Sequence, residues 1–367
     1  MTWRLLEVTF TSYAEMSLAL RPALFQSSQQ NLTGNTVAII RFQENSLLLP
    51  YYPDAQKDVN IQAAKEMGIA VKRGIVGGGP IYGDFRAVWC GAFLRRGVDP
   101  VPAVDELTLM RTLCSIADRV SELWKIPMRY RPLNDGEIWD AGQLLWRKVL
   151  AAGSTGMGDI IQISFILQVK SPETTVMEKI ITPPPEKFAD KVAKTVGQRV
   201  ISLEDAVGRA LSYEEIKDVL LNSFRKAFGV EFYAAGLTTA EEKMIQEAKS
   251  KYDNEDWLYN RSERKFGTVP PDVRKGEALC KAPGGPLLRV TVLKRKDMLH
   301  DILFTGSLQA SPIDSFLRLE EILKGTSLTG NELEQKISSF CNKGVTTPGL
   351  TLNILLTTIK KAIEKAG

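Results

Sequence analysis

Lys72-Arg73-Gly74-Ile75-Val76-Gly77-Gly78-Gly79-Pro80-Ile81-Tyr82-Gly83-Asp84 stands between two apolar runs, Ile69–Val71 and Ala87–Leu94, that read as strands. Three successive glycines let the backbone take positive φ and present consecutive N–H groups, which is how a loop cradles an anion such as phosphate. A plain hairpin turn would use the same residues, and the spacing fits neither Gly-x-x-x-x-Gly-Lys-Ser/Thr nor Gly-x-Gly-x-x-Gly. The flanks add chemistry. Arg73 can fork onto a phosphate or carboxylate, and Asp84 can either join a site or cap a turn.

Outward from this loop the chain alternates strand and helix signals. Upstream, Ala14 to Gln26 is helical in pattern, with Pro22 expected to bend or end it. Val37 to Phe42 reads as a strand, Pro50 to Lys57 as a loop, and Asp58 as the cap of a helix closed by Gly68. Downstream, Asp105 to Lys125 places Leu109, Met110, Leu113, Ile116, Ala117, Val120 and Leu123 on one helical face. An antiparallel meander follows: Asn134-Asp135 in a turn, then a strand from Leu144 to Ala152 that carries Lys148, then a Gly-rich turn and another strand. Lys148 is either partly desolvated for catalysis or an outward-facing lysine. Ser171 to Pro185, ending in three prolines, is expected to be an extended loop and a candidate flap. Glu186 to Phe228 and Thr238 to Tyr252 are helical in pattern, the latter opened by Thr239 with Glu242 as a capping box. The polar stretch Asn260 to Lys275 precedes two strands within Pro286 to Thr305 and helices at Pro312 to Lys324 and Leu350 to Ala366.

At 367 residues, with 44% hydrophobic and 25% charged residues, the chain should hold two domains. No run approaches the roughly 18 apolar residues of a membrane helix, and the start lacks a secretory pattern, so the expectation is a cytoplasmic protein without a membrane partner. Lys plus Arg number 47 against 43 Asp plus Glu, without a basic block, which argues against nucleic acid. The four cysteines, Cys90, Cys114, Cys280 and Cys341, form no Cys-x-x-Cys pair. A single histidine, His300, removes the usual base of Ser-His-Asp and Cys-His catalysis, so any chemistry runs on Lys, Arg, Asp and backbone.

Arg73 through Asp84 resembles, without gaps, the lipoate-protein ligase signature Arg-Arg-x-Ser-Gly-Gly-Gly-Ala-Val-Phe/Tyr-His-Asp. Phe42-Gln43 and Asp58 to Ile69 are similar to the family's segment before that loop. Asn134-Asp135 and Lys148-Val149 match its Asn-Asp and Lys-Val/Ile elements, Gln198 to Glu204 and Tyr252 to Trp257 resemble its later helices, and Phe304 to Gly325 its small accessory domain. The sequence departs from the signature at Gly74, Val76, Gly83 and Ala87, and Ala151-Ala152 replace small polar residues.

The resemblance implies an α+β fold: a biotin/lipoate-ligase-like catalytic domain of mixed and antiparallel sheets with packed helices over residues 1–265, and a small α/β accessory domain over 266–367. It implies an ATP-dependent lipoate-protein ligase that forms lipoyl-AMP and passes the acyl group to a lysine of a lipoyl-acceptor domain. Lys148 would be catalytic. Arg73, Gly77, Gly78, Gly79, Ile81, Tyr82, Asp84, Asn134 and Val149 would bind lipoate and ATP, and Asp135 would hold Mg²⁺. Two rivals are an octanoyl or lipoyl transferase working through a cysteine, for which Cys90 reads as core, and a non-catalytic relative that binds nucleotide or a lipoylated partner.

Overall fold

The computed structural model describes all residues except 104, 133, 183–198, 284 and 343, and leaves the side chains of 105–107 undescribed. The chain divides into two compact units, each assembled from three stretches: Met1–Ser46, Tyr82–Glu178 and Val192–Lys251 in the first, and Leu47–Ile81, Lys179–Lys191 and Tyr252–Gly367 in the second. The expected boundary near residue 265 therefore does not coincide with the division drawn by packing.

The first unit is built on an eight-stranded mixed sheet in the order Glu231–Ala234, Thr2–Ser12, Thr36–Glu44, Ala87–Arg95, Ile160–Gln168, Leu145–Met157, Asp135–Asp140, Met128–Arg131. Thr2–Ser12 is parallel to both its neighbours, and the pairs described beyond Thr36–Glu44 are antiparallel. Strand alternation sends Val37, Ile39, Cys90, Ala92, Ile161, Ile163 and Phe165 to one face. There they meet Leu113, Ile116 and Val120 of the helix Asp105–Trp124 and Val219, Leu220 and Phe224 of the helix Tyr213–Phe228. Met110 and Leu123, expected on that apolar face, are instead exposed. Tyr213–Phe228 starts at a capping box, with Ser212 and Glu215 each bonding the other's backbone N–H.

The opposite face carries the helix Tyr13–Gln29, which Pro22 does not end. An interior proline costs about 3 kcal/mol, but burial of Met16, Leu18, Leu20, Leu24 and Phe25 on both sides of it offsets that loss. The helix Thr239–Tyr252 begins one residue earlier in its capping chemistry than the sequence suggests: Thr238 and Glu241, not Thr239 and Glu242, bond reciprocally. Glu241 is chosen because it also receives the buried fork of Arg4, at 2.9 and 2.6 Å.

In the second unit, Arg274–Lys281, Leu287–Arg295, Met298–Gly306 and Thr326–Ser327 form an antiparallel sheet. Leu288, Val290, Ile302 and Phe304 pack against Phe316, Leu319, Ile337 and Ile359 of three helices, Ser315–Leu323, Glu332–Cys341 and Leu352–Lys365. Tyr51 and Tyr52 join the same core, the latter with its ring centre 5.3 Å from that of Phe316. Asp58 does not cap a helix. It is buried, accepting from Arg289 at 3.1 Å and from the Asp54 N–H, while Asn60 caps Ile61–Glu66. Within Ser171 to Pro185, read as an extended loop, Thr174–Ile180 is helical, since Pro172 precedes it and the three consecutive prolines follow it, leaving no proline inside. Pro183 to Gln198 lie outside the described residues. Among the described residues no helix is long and apolar enough to cross a membrane.

Candidate functional site

Asn134, Asp135 and Lys148 are brought together in the first unit by the pairing of Asp135–Asp140 with Leu145–Met157. Asn134 ties itself to the second strand twice, accepting from the Ala152 N–H at 2.8 Å and donating from Nδ2 to the Ala152 carbonyl at 2.6 Å. Asp135 then lies opposite Ala151 and Gly136 opposite Leu150, after which the register shifts and Glu137 pairs with Lys148. Gly136 is closely packed, because a Cβ there would stand 2.8 Å from Met128 Cε and 3.0 Å from Leu150 Cβ and both would have to give way. The outcome is Lys148 Nζ 2.5 Å from Asp135 Oδ1, with the lysine about a third exposed (32%).

Glu137 does not compete for that lysine. It is buried and forked by Arg129, at 3.0 and 2.7 Å, and by Arg131 at 2.8 Å. The Lys148 carbonyl accepts from Ile201 N at 2.9 Å, and Arg147 bridges Asp140 and the Val200 carbonyl, so the backbone under the ammonium is fixed. Val149 faces the hydrophobic core at 2% exposure, which corrects its assignment as a substrate contact.

Asp135 Oδ1 is buried and, although close to the ammonium, makes no aligned hydrogen bond. One carboxylate with such an oxygen suits Mg²⁺, which keeps waters and phosphate oxygens in its shell. Among the described residues no group of three or more acidic, His or Cys side chains stands ready to hold a metal alone.

Elsewhere in the first unit, Asp84 is 1% exposed and its oxygens are taken up locally and by one distant N–H: Arg86 donates from N, Nε and Nη2 at 2.8 Å each, and Glu173 N donates to Oδ2 at 3.4 Å. The turn role prevails, and substrate contact through this carboxylate is corrected. Tyr82 is buried with Asn45 beside its hydroxyl, and burial followed by the Asp84 charge pushes that hydroxyl's pKa up. Gly83, where the signature has histidine, is forced by packing: a Cβ would fall 2.3 Å from Tyr13 Cβ.

In the second unit, Arg73 is 1% exposed, and its head group is consumed by carbonyl oxygens. Nη1 donates to Pro50 and Tyr51 at 2.9 Å, and Nε and Nη2 to Leu258 at 2.9 and 2.8 Å. Burial, with the nearby Arg261 charge, lowers its pKa to about 9, still a cation at neutral pH. Trp257 Nε1 donates back to the Arg73 carbonyl at 2.9 Å. No phosphate can reach this fork, so the expected phosphate contact becomes a backbone clamp. The adjoining glycines do not turn a hairpin, since Ala70–Arg73 pairs with Ser46–Leu49 and not with Ile81–Gly83. Gly78 adopts φ +111°, with open space around its missing side chain and its N–H on the Leu308 carbonyl at 2.8 Å. Gly77 lies against Gln309 and Leu308, and Gly79 and Ile81 are half-buried.

Sequence reasoning missed the Glu137 fork, although the alternation Arg129-x-Arg131 opposite an acidic strand residue is a readable signal. Cys90 behaves as expected, at 0% exposure between Ile39 and Phe165, its thiol pKa pushed up by burial. Cys114 is exposed, with its thiol also raised by partial burial and by Asp118.

The chain belongs to the family described as Lipoyl protein ligase A/B catalytic domain, whose profile matches residues 13–225. It is 26% identical over 268 residues to Lipoate-protein ligase A subunit 1 of Thermoplasma acidophilum, covering 70% of this chain and 96% of that one. It is also 22% identical over 277 residues to Octanoyltransferase LipM of Moorella thermoacetica, covering 71% and 98%. The crystal structure of P. falciparum LipL1 in complex with lipoate shares the fold over 98% of this chain and 99% of its own, at TM-score 0.72 and 14% identity. The α+β lipoate-ligase-like fold is thereby established, and with it membership of an enzyme family that includes both ligases and acyltransferases.

Proposed function

We propose that the protein is an ATP-dependent lipoate-protein ligase. A lipoate carboxylate oxygen attacks the α-phosphorus of ATP and pyrophosphate leaves; the amine of an acceptor-domain lysine then attacks the acyl carbon and AMP leaves. The observation that carries this reading is the Lys148–Asp135 pair, a cation about a third exposed and held by a fixed backbone. Such a cation stabilises charge that develops at the carboxylate and α-phosphate without needing histidine. Asp135 would hold Mg²⁺, whose chemistry is to neutralise phosphate charge, and Asn134 fixes the strand end that presents Asp135. Gly77 to Gly79, with Ile81 and Tyr82, would shape the lipoyl and adenylate cradle. Residues 1–265 would be the catalytic domain and 266–367 the accessory domain, acting in the cytoplasm on a lipoyl-acceptor domain.

The relatives named octanoyltransferase favour a second reading, acyl transfer through a cysteine thiolate. Burial of Cys90 with a raised thiol supports the ligase reading against it. Incubation with ATP, lipoate and a lipoyl-acceptor domain decides: pyrophosphate release coupled to acceptor modification supports the ligase. ATP-independent transfer from an octanoylated carrier, lost in Cys90→Ser, supports the transferase.

A further inference from the structure

Arg73 is closed off by carbonyl oxygens, yet adenylate formation places negative charge on a departing pyrophosphate, so the reaction calls for a cation elsewhere. The first unit holds one beside Asp135. Arg131 is the cross-strand partner of Asp135 on one side, and on the other side the ammonium of Lys148 stands 2.5 Å from Asp135 Oδ1. Strand alternation and the register shift after Gly136 put Arg129, Arg131, Asp135, Glu137, Trp146 and Lys148 on one face, while Ile138 and Val149 turn to the hydrophobic core. The two arginines use Glu137 differently. Arg129 gives it both Nε and Nη2, and its guanidinium carbon lies 4.1 Å from the Trp146 ring centre. Arg131 gives it only Nη1, at 2.8 Å.

Among the described residues nothing accepts from Arg131 Nε or Nη2, and the side chain is 59% exposed. Those two nitrogens share one edge of the guanidinium, so a complete two-pronged fork stays open. Its charged surroundings are Glu137, whose hydrogen bond and charge raise the Arg131 pKa, and then Asp135, whose charge adds to the effect. The face as a whole holds three cations, Arg129, Arg131 and Lys148, against the carboxylates of Asp135 and Glu137, which leaves it positive. The geometry points to Arg131 as the contact for the pyrophosphate that leaves ATP, an assignment that rests on the ligase reading and adds a residue to it. When the lipoate oxygen bonds to the α-phosphorus, the bond from that phosphorus to the bridging oxygen breaks, and its electron pair departs with pyrophosphate. Lys148 neutralises charge at the α-phosphate. Arg131, two strands away and so about 10 Å across the sheet, donates from Nε and Nη2 to two oxygens of the leaving group. Glu137 and Arg129 are positioning residues, holding the guanidinium by its other side.

The test uses the full-length protein and separates the two half-reactions. Arg131→Gln keeps an amide donor for Glu137 and removes the charge and the fork, so its melting temperature should stay near native. Its KM for ATP in lipoyl-adenylate formation should rise about tenfold or more, and calorimetric binding of pyrophosphate should weaken by a similar factor. Transfer from supplied lipoyl-adenylate to an acceptor domain should stay within about twofold of native, since AMP leaves in that step and pyrophosphate takes no part. Arg131→Lys, a point charge without the fork, should fall between Arg131→Gln and the native protein. Either a native KM for ATP or undiminished pyrophosphate binding in Arg131→Gln would overturn the assignment, and so would equal losses in both half-reactions, the mark of a purely structural role. If Arg131→Gln melts lower, Arg131→Lys decides, because it retains the ion pair with Glu137: a raised KM for ATP supports the contact and a native one removes it. Native protein that releases no pyrophosphate from ATP and lipoate defeats the ligase reading itself, whereas active native protein with an unaltered Arg131→Gln defeats only the role of Arg131.

Discussion

Lys148 is fixed through its backbone and paired at its tip only with the partly exposed Asp135, and this separates its contribution to stability from its contribution to chemistry. Its ion pair with Asp135 is about a third exposed, and pairs of that kind are worth little to folding. Lys148→Ala should therefore leave the melting temperature nearly unchanged and reduce lipoyl-adenylate formation by about 10²-fold or more, the usual cost of losing a preorganised charge stabiliser. Pyrophosphate release by a folded variant at the native rate would remove the lysine from the mechanism. Gly78 tests the loop in the same spirit. Its φ of +111° disfavours a β-branched residue even though the surrounding space is open. Gly78→Val should abolish the thermal shift produced by ATP plus lipoate; if the shift survives, the glycines only turn the chain.

At the scale of elements, the clearest revision concerns Arg73, which anchors the strand Ala70–Arg73 to the segments at Pro50–Tyr51 and Leu258. Arg73→Met would leave three buried carbonyls without their donors, at about 1–3 kcal/mol each, so a loss of 3 kcal/mol or more in denaturant unfolding is expected. A variant with native stability and weakened ATP binding would restore the phosphate contact. The same residues show what a sequence can and cannot disclose. The glycine loop, Asn134-Asp135 and Lys148 stood out through the family resemblance, and the structure brings Asn134, Asp135 and Lys148 together. The fate of Arg73 and Asp84 was not legible, because both look the same in sequence whether they meet a ligand or a carbonyl 185 residues away. Helix propensity misled at Pro22, where tertiary burial overrode it, and capping misled by one residue at Thr238, where a buried arginine from the first strand chose the acid. The strand meander was readable, whereas the register shift at Gly136 was not, since it depends on Met128 and Leu150 closing over that glycine.

At the scale of the whole molecule, the second unit does not begin where the C-terminal sequence begins. Leu47–Ile81, which contains the glycine loop, shares a core with Tyr252–Gly367: Tyr52 packs on Phe316, and Arg289 reaches Asp58 at 3.1 Å. A chain cut near Asn260 would remove Phe304, Phe316 and Arg289 together, strand Asp58 without its cation and expose Tyr51, Tyr52 and Ile75 as an apolar patch. Such a truncation should melt lower, aggregate, and lose adenylate formation along with transfer from supplied lipoyl-adenylate, because the glycine loop loses its support. A nick at the exposed stretch Gly267–Val269 is the discriminating companion. It breaks the chain while leaving both sides of that core in place, so the nicked protein should stay associated on gel filtration and make adenylate at close to the native rate. If instead the truncated chain folds with the native melting temperature and makes adenylate at full rate, Leu47–Ile81 is stable without the C-terminal segment. The accessory region would then serve another task, with acceptor recognition the first to test.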